Sequence, residues 1–357
     1  MRRTPALIAG AGPAGCAAAI RLAAGGVRAV LVERSEGPRD VVCGGFLGWD
    51  ALGALKRLGV DADSLGARPI TRLRLATSRA TFEAPLPHAA VGLSRRTLDT
   101  ALQDAAIAGG AELLRGRAMR AADLPSRTLR LEDGEEYQGE ALLIATGKHE
   151  LRGAERGADL AEAPLGLRAS VPGASDLEGF IELHLFDGGY AGALLQEDGT
   201  ANLCLSVSRA RLKAAGGVEP LLAQLAREVP VLGQRLEAGA LTPWSAVAGV
   251  PYGWRAAGTE AQVYRVGDQA AVIASLAGDG VAIALESGIA AAEAVLAGDP
   301  APDFQRAFSS RARRPLGLAE ALRRSAERPL PRALLMPALR LFPGLAPAFA
   351  RLTRIGN

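Results

Sequence analysis

Apolar and polar positions along this chain follow three rhythms. The first occupies residues 5–34. A continuous apolar run, Ala6-Leu7-Ile8-Ala9, meets a glycine turn, then a small-residue stretch of helical period, then a second apolar run, Ala29-Val30-Leu31-Val32. Runs without alternation suit strands buried on both faces, so this segment reads as a parallel β-α-β unit. Residues 35–48 read as a loop. Residues 49–59 read as a helix, with Leu52, Leu55 and Leu58 three apart and Gly59 as C-cap. Residues 66–92 alternate as strands do, Thr71, Leu73 and Leu75 against Arg72, Arg74 and Ala76. A further helix opens at Leu93-Ser94-Arg95 and runs to Gly109-Gly110. Short strands are expected at 112–115, 127–131 and 141–145, with a hairpin turn at Asp133-Gly134. The last of these strands is apolar throughout and ends in Thr146-Gly147.

The second rhythm runs from about 165 to 250. Stretches 181–185, 191–195 and 201–207 read as antiparallel strands joined by Asp187-Gly188-Gly189 and Asp198-Gly199 turns. Helices are expected at 209–215 and 219–237. Val263 to Asp268 then returns to the buried-strand pattern, and 281–297 reads as a helix rich in small residues. The third rhythm is the tail, 303–357, which reads as helical with breaks at Pro329, Pro331, Pro337, Pro343 and Pro347.

Composition changes this picture little. The chain has 357 residues, enough for one large or two interlocked domains, and 49% of them are hydrophobic but only 4% aromatic, so the core is built mostly of Ala, Leu and Val. Its net charge of +3 argues neither way on nucleic acid, and none is expected as a partner. Three cysteines (Cys16, Cys43 and Cys204) suit a reducing compartment, and no His/Cys cluster has metal-ligand spacing, so no metal is expected. The first residues lead straight into a strand, which leaves no room for a signal peptide. No uncharged apolar run reaches the ~18 residues of a spanning helix. A cytoplasmic protein is expected.

Two glycine-rich motifs carry the chemistry. In Gly10-Ala11-Gly12-Pro13-Ala14-Gly15 the first glycine permits a tight turn, the second lets backbone approach a pyrophosphate, and the third lets helix pack on sheet. Glu33, at the end of the second strand, is placed to accept hydrogen bonds from ribose hydroxyls. The alternative is a strand-helix turn that binds nothing. Far along the chain, Gly267-Asp268-Gln269 leads through Gly278-Asp279-Gly280 into the 281–297 helix. There an acid at a strand end suits a polyol hydroxyl, and a helix N-terminus suits a ring edge that becomes anionic on reduction.

Taken together, the glycine turn with Glu33, Ala145-Thr146-Gly147, and Gly267-Asp268 followed by Gly278 and Gly280 resemble the FAD-binding fold of the flavoprotein hydroxylase (p-hydroxybenzoate-hydroxylase-like) superfamily. Cys43-Gly44-Gly45, Arg95 four residues before Asp99, Gly189-Tyr190-Ala191-Gly192 and Gly249-Val250-Pro251-Tyr252-Gly253 resemble its geranylgeranyl-reductase-like branch. The resemblance covers roughly residues 5–300. It implies an α/β fold: an interrupted Rossmann-like FAD-binding domain (1–70, 90–155 and 255–300), an inserted antiparallel β-sheet substrate domain (71–89 and 156–254), and a helical C-terminal tail (301–357). It implies FAD as cofactor, with Gly10, Gly12, Pro13, Ala14 and Gly15 at the pyrophosphate and Glu33 at the adenosine ribose. Arg34 would lie over the adenine and Arg95 near the phosphates or ribityl chain. Thr146, Gly147, Gly267 and Asp268 would follow the ribityl chain, Gly278, Gly280 and Val281 would face the pyrimidine edge, and Cys43 and Gly44 would line the flavin. Three departures stand out. Gln269 and Ser275 occupy positions where the family usually carries alanine and proline. Residues 147–153 lack the Asp-Gly pair with nearby Ser and Arg of the hydroxylases.

Cys43, His184 and Tyr190 are the candidate catalytic residues. Cys43 serves either redox or acid chemistry, or simply a loop that makes room for the ring. His184 either points into a substrate cavity or is a satisfied structural histidine. Tyr190, Trp244 and Tyr252 line a pocket or pack the core. Lys148 and His149 touch cofactor or sit in a solvated loop. The tail carries a net charge of +8 against −5 for the rest of the chain. It suits peripheral contact with an anionic membrane, the mouth of a lipophilic-substrate tunnel, or an ordinary helical cap with a solvated basic face. With no second glycine turn for a nicotinamide, electrons are expected from a transient NAD(P)H visit or a protein donor.

The leading expectation is an oxidoreductase that passes hydride from flavin N5 to an isoprenoid-like or conjugated alkene in a lipophilic small-molecule substrate. The alternatives are a monooxygenase hydroxylating a phenolic or polyketide product through a flavin hydroperoxide, and an electron-carrying flavoprotein that donates to a membrane quinone.

Overall fold

The run Ala6-Leu7-Ile8-Ala9 offers no polar side chain to either face. In the structure, a computed structural model that describes residues 1–356, it lies at the centre of a parallel sheet and is fully buried. In chain order the elements are β1 (Arg2–Ala9), α1 (Pro13–Ala24), β2 (Ala29–Val32), β3 (Phe46–Leu47), α2 (Trp49–Arg57), β4 (Arg68–Ala76), β5 (Thr81–Gly92) and α3 (Arg95–Ala108). Next come β6 (Glu112–Leu114), β7 (Met119–Asp123), β8 (Thr128–Leu131), β9 (Glu136–Ile144), β10 (Leu165–Val171), β11 (Gly179–Phe186), β12 (Gly189–Leu195) and β13 (Ala201–Val207). The chain closes with α4 (Arg209–Ala215), α5 (Val218–Glu228), α6 (Pro230–Glu237), β14 (Ser245–Val247), β15 (Val263–Arg265), α7 (Gly280–Ala297), α8 (Ala301–Glu327), α9 (Pro329–Leu341) and α10 (Leu345–Leu352).

Among the described residues the strands form two sheets. In the first, β6, β2, β1, β9 and β15 run parallel in that order, and the N-terminal half of β9 carries the antiparallel ribbon β8-β7. This is the Rossmann-like frame, and ligands to such sheets gather at the carboxyl ends of the strands. Helices α1 and α7 pack closely on one another over it, because both present small residues. The helix α7 is long and apolar enough to cross a membrane, but it is mostly buried in this core.

The second sheet has the order β14-β10-β13-β12-β11-β4-β5-β3. It is antiparallel except where β4 runs parallel to β11. The segment read as a loop at 35–48 ends in β3, which pairs with β5. The expected helix 219–237 is two helices, because Val229 before Pro230 takes an extended conformation. In the tail, breaks fall only at Arg328 and at 342–344. Pro331 and Pro347 sit in first turns, where the missing N–H has no intrahelical partner to lose, and Pro337 is carried inside α9.

Candidate functional site

The first motif forms where β1 passes into α1. Gly10 has φ +109°, and a methyl there would lie 2.6 Å from the Ala145 carbonyl oxygen. A methyl on Gly15 would lie 2.0 Å from the Gly10 carbonyl oxygen. Both therefore hold β1, β9 and α1 closer together than any side chain allows. Gly12 differs, since a methyl there would meet only Arg95 Nη2, at 3.7 Å. Gly12 is also the N-cap of α1, without a side-chain cap and with no acid in the first turn. Free N–H groups and the positive end of the helix thus face open space. Glu33 accepts from the backbone N–H of Ala11 at 3.0 Å and of Ser35 at 2.9 Å, which fixes its carboxylate at the rim.

The second motif closes the same space from the far side. Asp268 Oδ2 lies 3.4 Å from Lys148 Nζ, and this neighbour raises the lysine pKa despite burial. Gln269, where an alanine was expected, donates from its amide to the Gly147 and His149 carbonyls, both at 3.0 Å. It ties the loop after β9 to the second motif. Gly278 and Gly280 lead into α7, whose N-cap is Asp279. That carboxylate does not cap the helix. It accepts from Arg354 Nη1 at 3.0 Å and from the Ile355 N–H at 2.8 Å. Burial, with Asp50 close by, pushes its pKa well up, and Arg354 pulls the other way. The first N–H groups of α7, Val281 among them, therefore also face the cavity without a side-chain cap.

One cavity of about 970 Å³ joins these parts. Its lining includes Gly10, Gly12, Pro13, Ala14, Glu33, Arg34, Arg95, Thr146, Gly147, Gly267, Asp268, Gly278, Gly280 and Val281, together with Cys43 and Gly44; Gly15 lies behind the turn. Arg34 Nη2 is 2.7 Å from His149 Nε2, and burial followed by the Arg34 charge lowers that imidazole's pKa. Arg95 grips Asp99 through two bonds of 2.9 and 2.8 Å, and burial pushes the Asp99 carboxyl above its ordinary value even so. The Cys43 carbonyl accepts from Asn202 Nδ2 at 2.9 Å, so the Cys43-Gly44-Gly45 loop is pinned to β13. Cys204 on the same strand has its thiol pushed up to about 12 by burial.

Tyr190 lines the cavity. Its hydroxyl lies 2.5 Å from Ser275 Oγ, which in turn lies 2.8 Å from the Tyr252 hydroxyl, and it accepts from the Leu276 N–H at 3.0 Å. Burial raises the Tyr190 pKa well above its ordinary value, so it stays protonated. The serine that replaces the expected proline bridges the two phenols, whose hydroxyls also lie 3.5 Å from each other.

His184 does not reach the cavity. On β11 the side chains of Ile181, Leu183 and Leu185 face it, and alternation turns Glu182 and His184 to the other side. His184 is fully buried, with Nε2 3.1 Å from Glu182 Oε1 but without hydrogen-bond geometry. It is corrected to a structural residue. Sequence reasoning also missed Arg156, which donates to the Gly147, Lys148 and Asp268 carbonyls, and Arg354 with Trp49 beneath it at 4.5 Å. No local pattern marks either arginine: Arg156 ties the loop eight and nine residues behind it to Asp268, 112 residues ahead, and Arg354 reaches Asp279 across 75 residues. Among the described residues no cluster could hold a metal ion.

The residues fit FAD. Two uncapped helix N-termini open on one cavity, an arrangement that would suit a pyrophosphate at one and a flavin ring edge at the other, with an acid beside each. Cavities of this volume lie at the upper end of ligand sites.

Comparison with known proteins agrees. The family described as FAD binding domain matches residues 3–142. A menaquinone reductase of Mycolicibacterium smegmatis is 30% identical over 325 residues, spanning 83% of this chain and 77% of that protein. Among solved structures, the flavin-dependent brominase Bmp2 is similar with a TM-score of 0.78 and 17% identity, over 99% of this chain and 93% of that one. So is pqsL, described as "a probable FAD-dependent monooxygenase from Pseudomonas aeruginosa", with a TM-score of 0.70 and 17% identity, over 94% and 100% of the two chains. These two likenesses speak to the fold.

Proposed function

This chain belongs to the family of FAD-dependent flavoenzymes built on the FAD-binding domain, and from that premise we propose that it reduces a lipophilic, isoprenoid-bearing substrate. The observation that carries this reading is the continuation of the cavity, past both glycine motifs, into an apolar chamber walled by Leu73, Leu75, Leu183, Leu335 and Leu339. Such walls take a hydrocarbon by removing its surface from water. The bound FAD would supply the hydride. The chain's own residues do the rest. Glu33 and Asp268 orient the cofactor, the leucine walls exclude water, and the Cys43-Gly44-Gly45 loop makes room for the ring. Tyr190 holds a proton at its hydroxyl, with Ser275 and Tyr252 behind it to restore that proton.

The relative named for menaquinone reduction supports the substrate class, because menaquinone carries both a quinone ring and a polyprenyl chain. The geranylgeranyl-reductase-like motifs favour the chain alkene. Electrons would come from a transient NAD(P)H visit. In the test, the FAD-loaded protein is incubated anaerobically with NADH or NADPH and a detergent-dispersed polyprenyl quinone. The lipid is then re-oxidised in air and weighed by mass spectrometry. Alkene reduction leaves a lipid heavier by one pair of hydrogens, whereas ring reduction reverts. Turnover that requires oxygen and adds an oxygen atom would replace this reading with a monooxygenase. An unchanged lipid together with no lipid-dependent oxidation of NADH or NADPH in the anaerobic arms would end it.

A further inference from the structure

We propose that α9 and α10 form a docking arm that lies on the surface of an anionic lipid bilayer and opens the apolar chamber toward it. Every residue from Arg328 to the end of the chain is either neutral or arginine, with five arginines and no acid. Helix α9 is apolar on two faces. Its inner face, with Met336 and Leu339 buried, packs on Leu75, Phe82 and Ala84 of β4 and β5, and Leu335 and Leu339 line the chamber. Its outer face carries Leu330, Leu334 and Leu341, one or two turns apart, at 81%, 73% and 72% exposure. Phe342, at the bend, and Leu352, at the end of α10, are exposed as well. Of eight exposed large hydrophobic side chains among the described residues, five lie in this arm. A surface helix ordinarily turns one stripe inward and polar groups outward, so an outward leucine stripe calls for a cover.

Charge and geometry select the cover. Arg328, Arg340 and Arg351 are exposed in the same segment, which suits anionic headgroups around an acyl phase. The two helices meet at 113°, so they cannot cross a bilayer as one rod and instead lie along its surface. The inner wall of the same arm belongs to the chamber, with Ala346, Phe349 and Ala350 of α10 joining Leu335 and Leu339. A lipid therefore passes from acyl phase to chamber beneath a single hairpin, without entering water. This portal role rests on the lipophilic-substrate reading; the docking does not.

The test uses the FAD-loaded full chain with vesicles of phosphatidylcholine alone or mixed with phosphatidylglycerol, in a sedimentation assay across salt concentration. The wild type is expected to bind the mixed vesicles, less so as salt rises. A Leu334→Ser/Phe342→Ser variant should keep its flavin spectrum, melting temperature and turnover of detergent-dispersed lipid. It should bind vesicles at least about tenfold more weakly, with a matching fall in turnover of vesicle-embedded lipid. Undiminished binding by the variant, or no wild-type binding at low salt, overturns the proposal. So does a wild-type oligomer that the variant disperses, because the stripe would then be an interface between copies. Turnover in detergent reports on the proposed function separately, whichever way the vesicles answer.

Discussion

Arg354 and Asp279 stand 75 residues apart in the chain, yet they set the conformation of the loop that leads into α7. Removing the guanidinium leaves a buried carboxylate unpaired. Arg354→Ala should lower stability by about 3 kcal/mol and weaken flavin retention, read by thermal melting and by the release of flavin fluorescence. Tyr190→Phe removes the hydroxyl but little volume, so bound flavin should be unchanged in spectrum while kcat falls by roughly a hundredfold, measured at saturating substrate. Glu182 supplies a pH test. Burial alone would raise its pKa, but the His184 imidazole 3.1 Å away and hydrogen bonds from Arg235 and Arg74 hold it at about 2 against an ordinary 4.5. A depressed pKa contributes stability that is full above about 4.5 and fades as pH falls toward 2, about 3 kcal/mol in all. Glu182→Gln should flatten the acid limb of a denaturation-versus-pH series. Gly12 and Asp268 were legible in the sequence because backbone approach and strand-end acids leave a local signature. His184 was not, because β11 is buried on both faces and alternation cannot say which of them fronts the cavity.

At the scale of elements, the crossing of α1 and α7 holds the two glycine motifs together. A methyl on Gly288 would lie 2.3 Å from the Ala14 carbonyl oxygen. Gly288→Val should therefore push α7 off α1, lowering stability by about 2 kcal/mol and loosening the cofactor, as a melt with and without added FAD would register. Both helices were readable from small-residue periodicity, and the parallel strands from their unbroken apolar runs. The crossing was not readable, since many glycines and alanines on a helix satisfy local propensity equally well. Pro230 shows the same limit from the other side. Helical period continues through 219–237, and the extended residue before the proline splits it.

Over the whole molecule, the FAD cavity draws on the first sheet, the second sheet and the tail. A ligand that binds only the folded state adds about 2.7 kcal/mol at a hundredfold excess over its Kd. FAD should therefore raise the melting temperature of the apoprotein in a concentration-dependent way, and a melt indifferent to FAD would contradict the assigned cavity. The two departures that the sequence could only flag find their use at this scale. Gln269 staples the loop after β9 to the second motif, and Ser275 links two tyrosines carried by different parts of the chain.

By itself the sequence determined the parallel frame, the glycine turn and the acids at the strand ends, and its family resemblance implied the cofactor. The first three rest on backbone geometry and on periods shorter than one element, which neighbouring residues encode completely. Only the tertiary structure decided which face of β11 meets the chamber, which serine completes a hydroxyl chain, and that the last residues of the polypeptide wall the site and fix Asp279. Such decisions depend on how closely packed surfaces from distant segments exclude one another, and no local pattern carries that information.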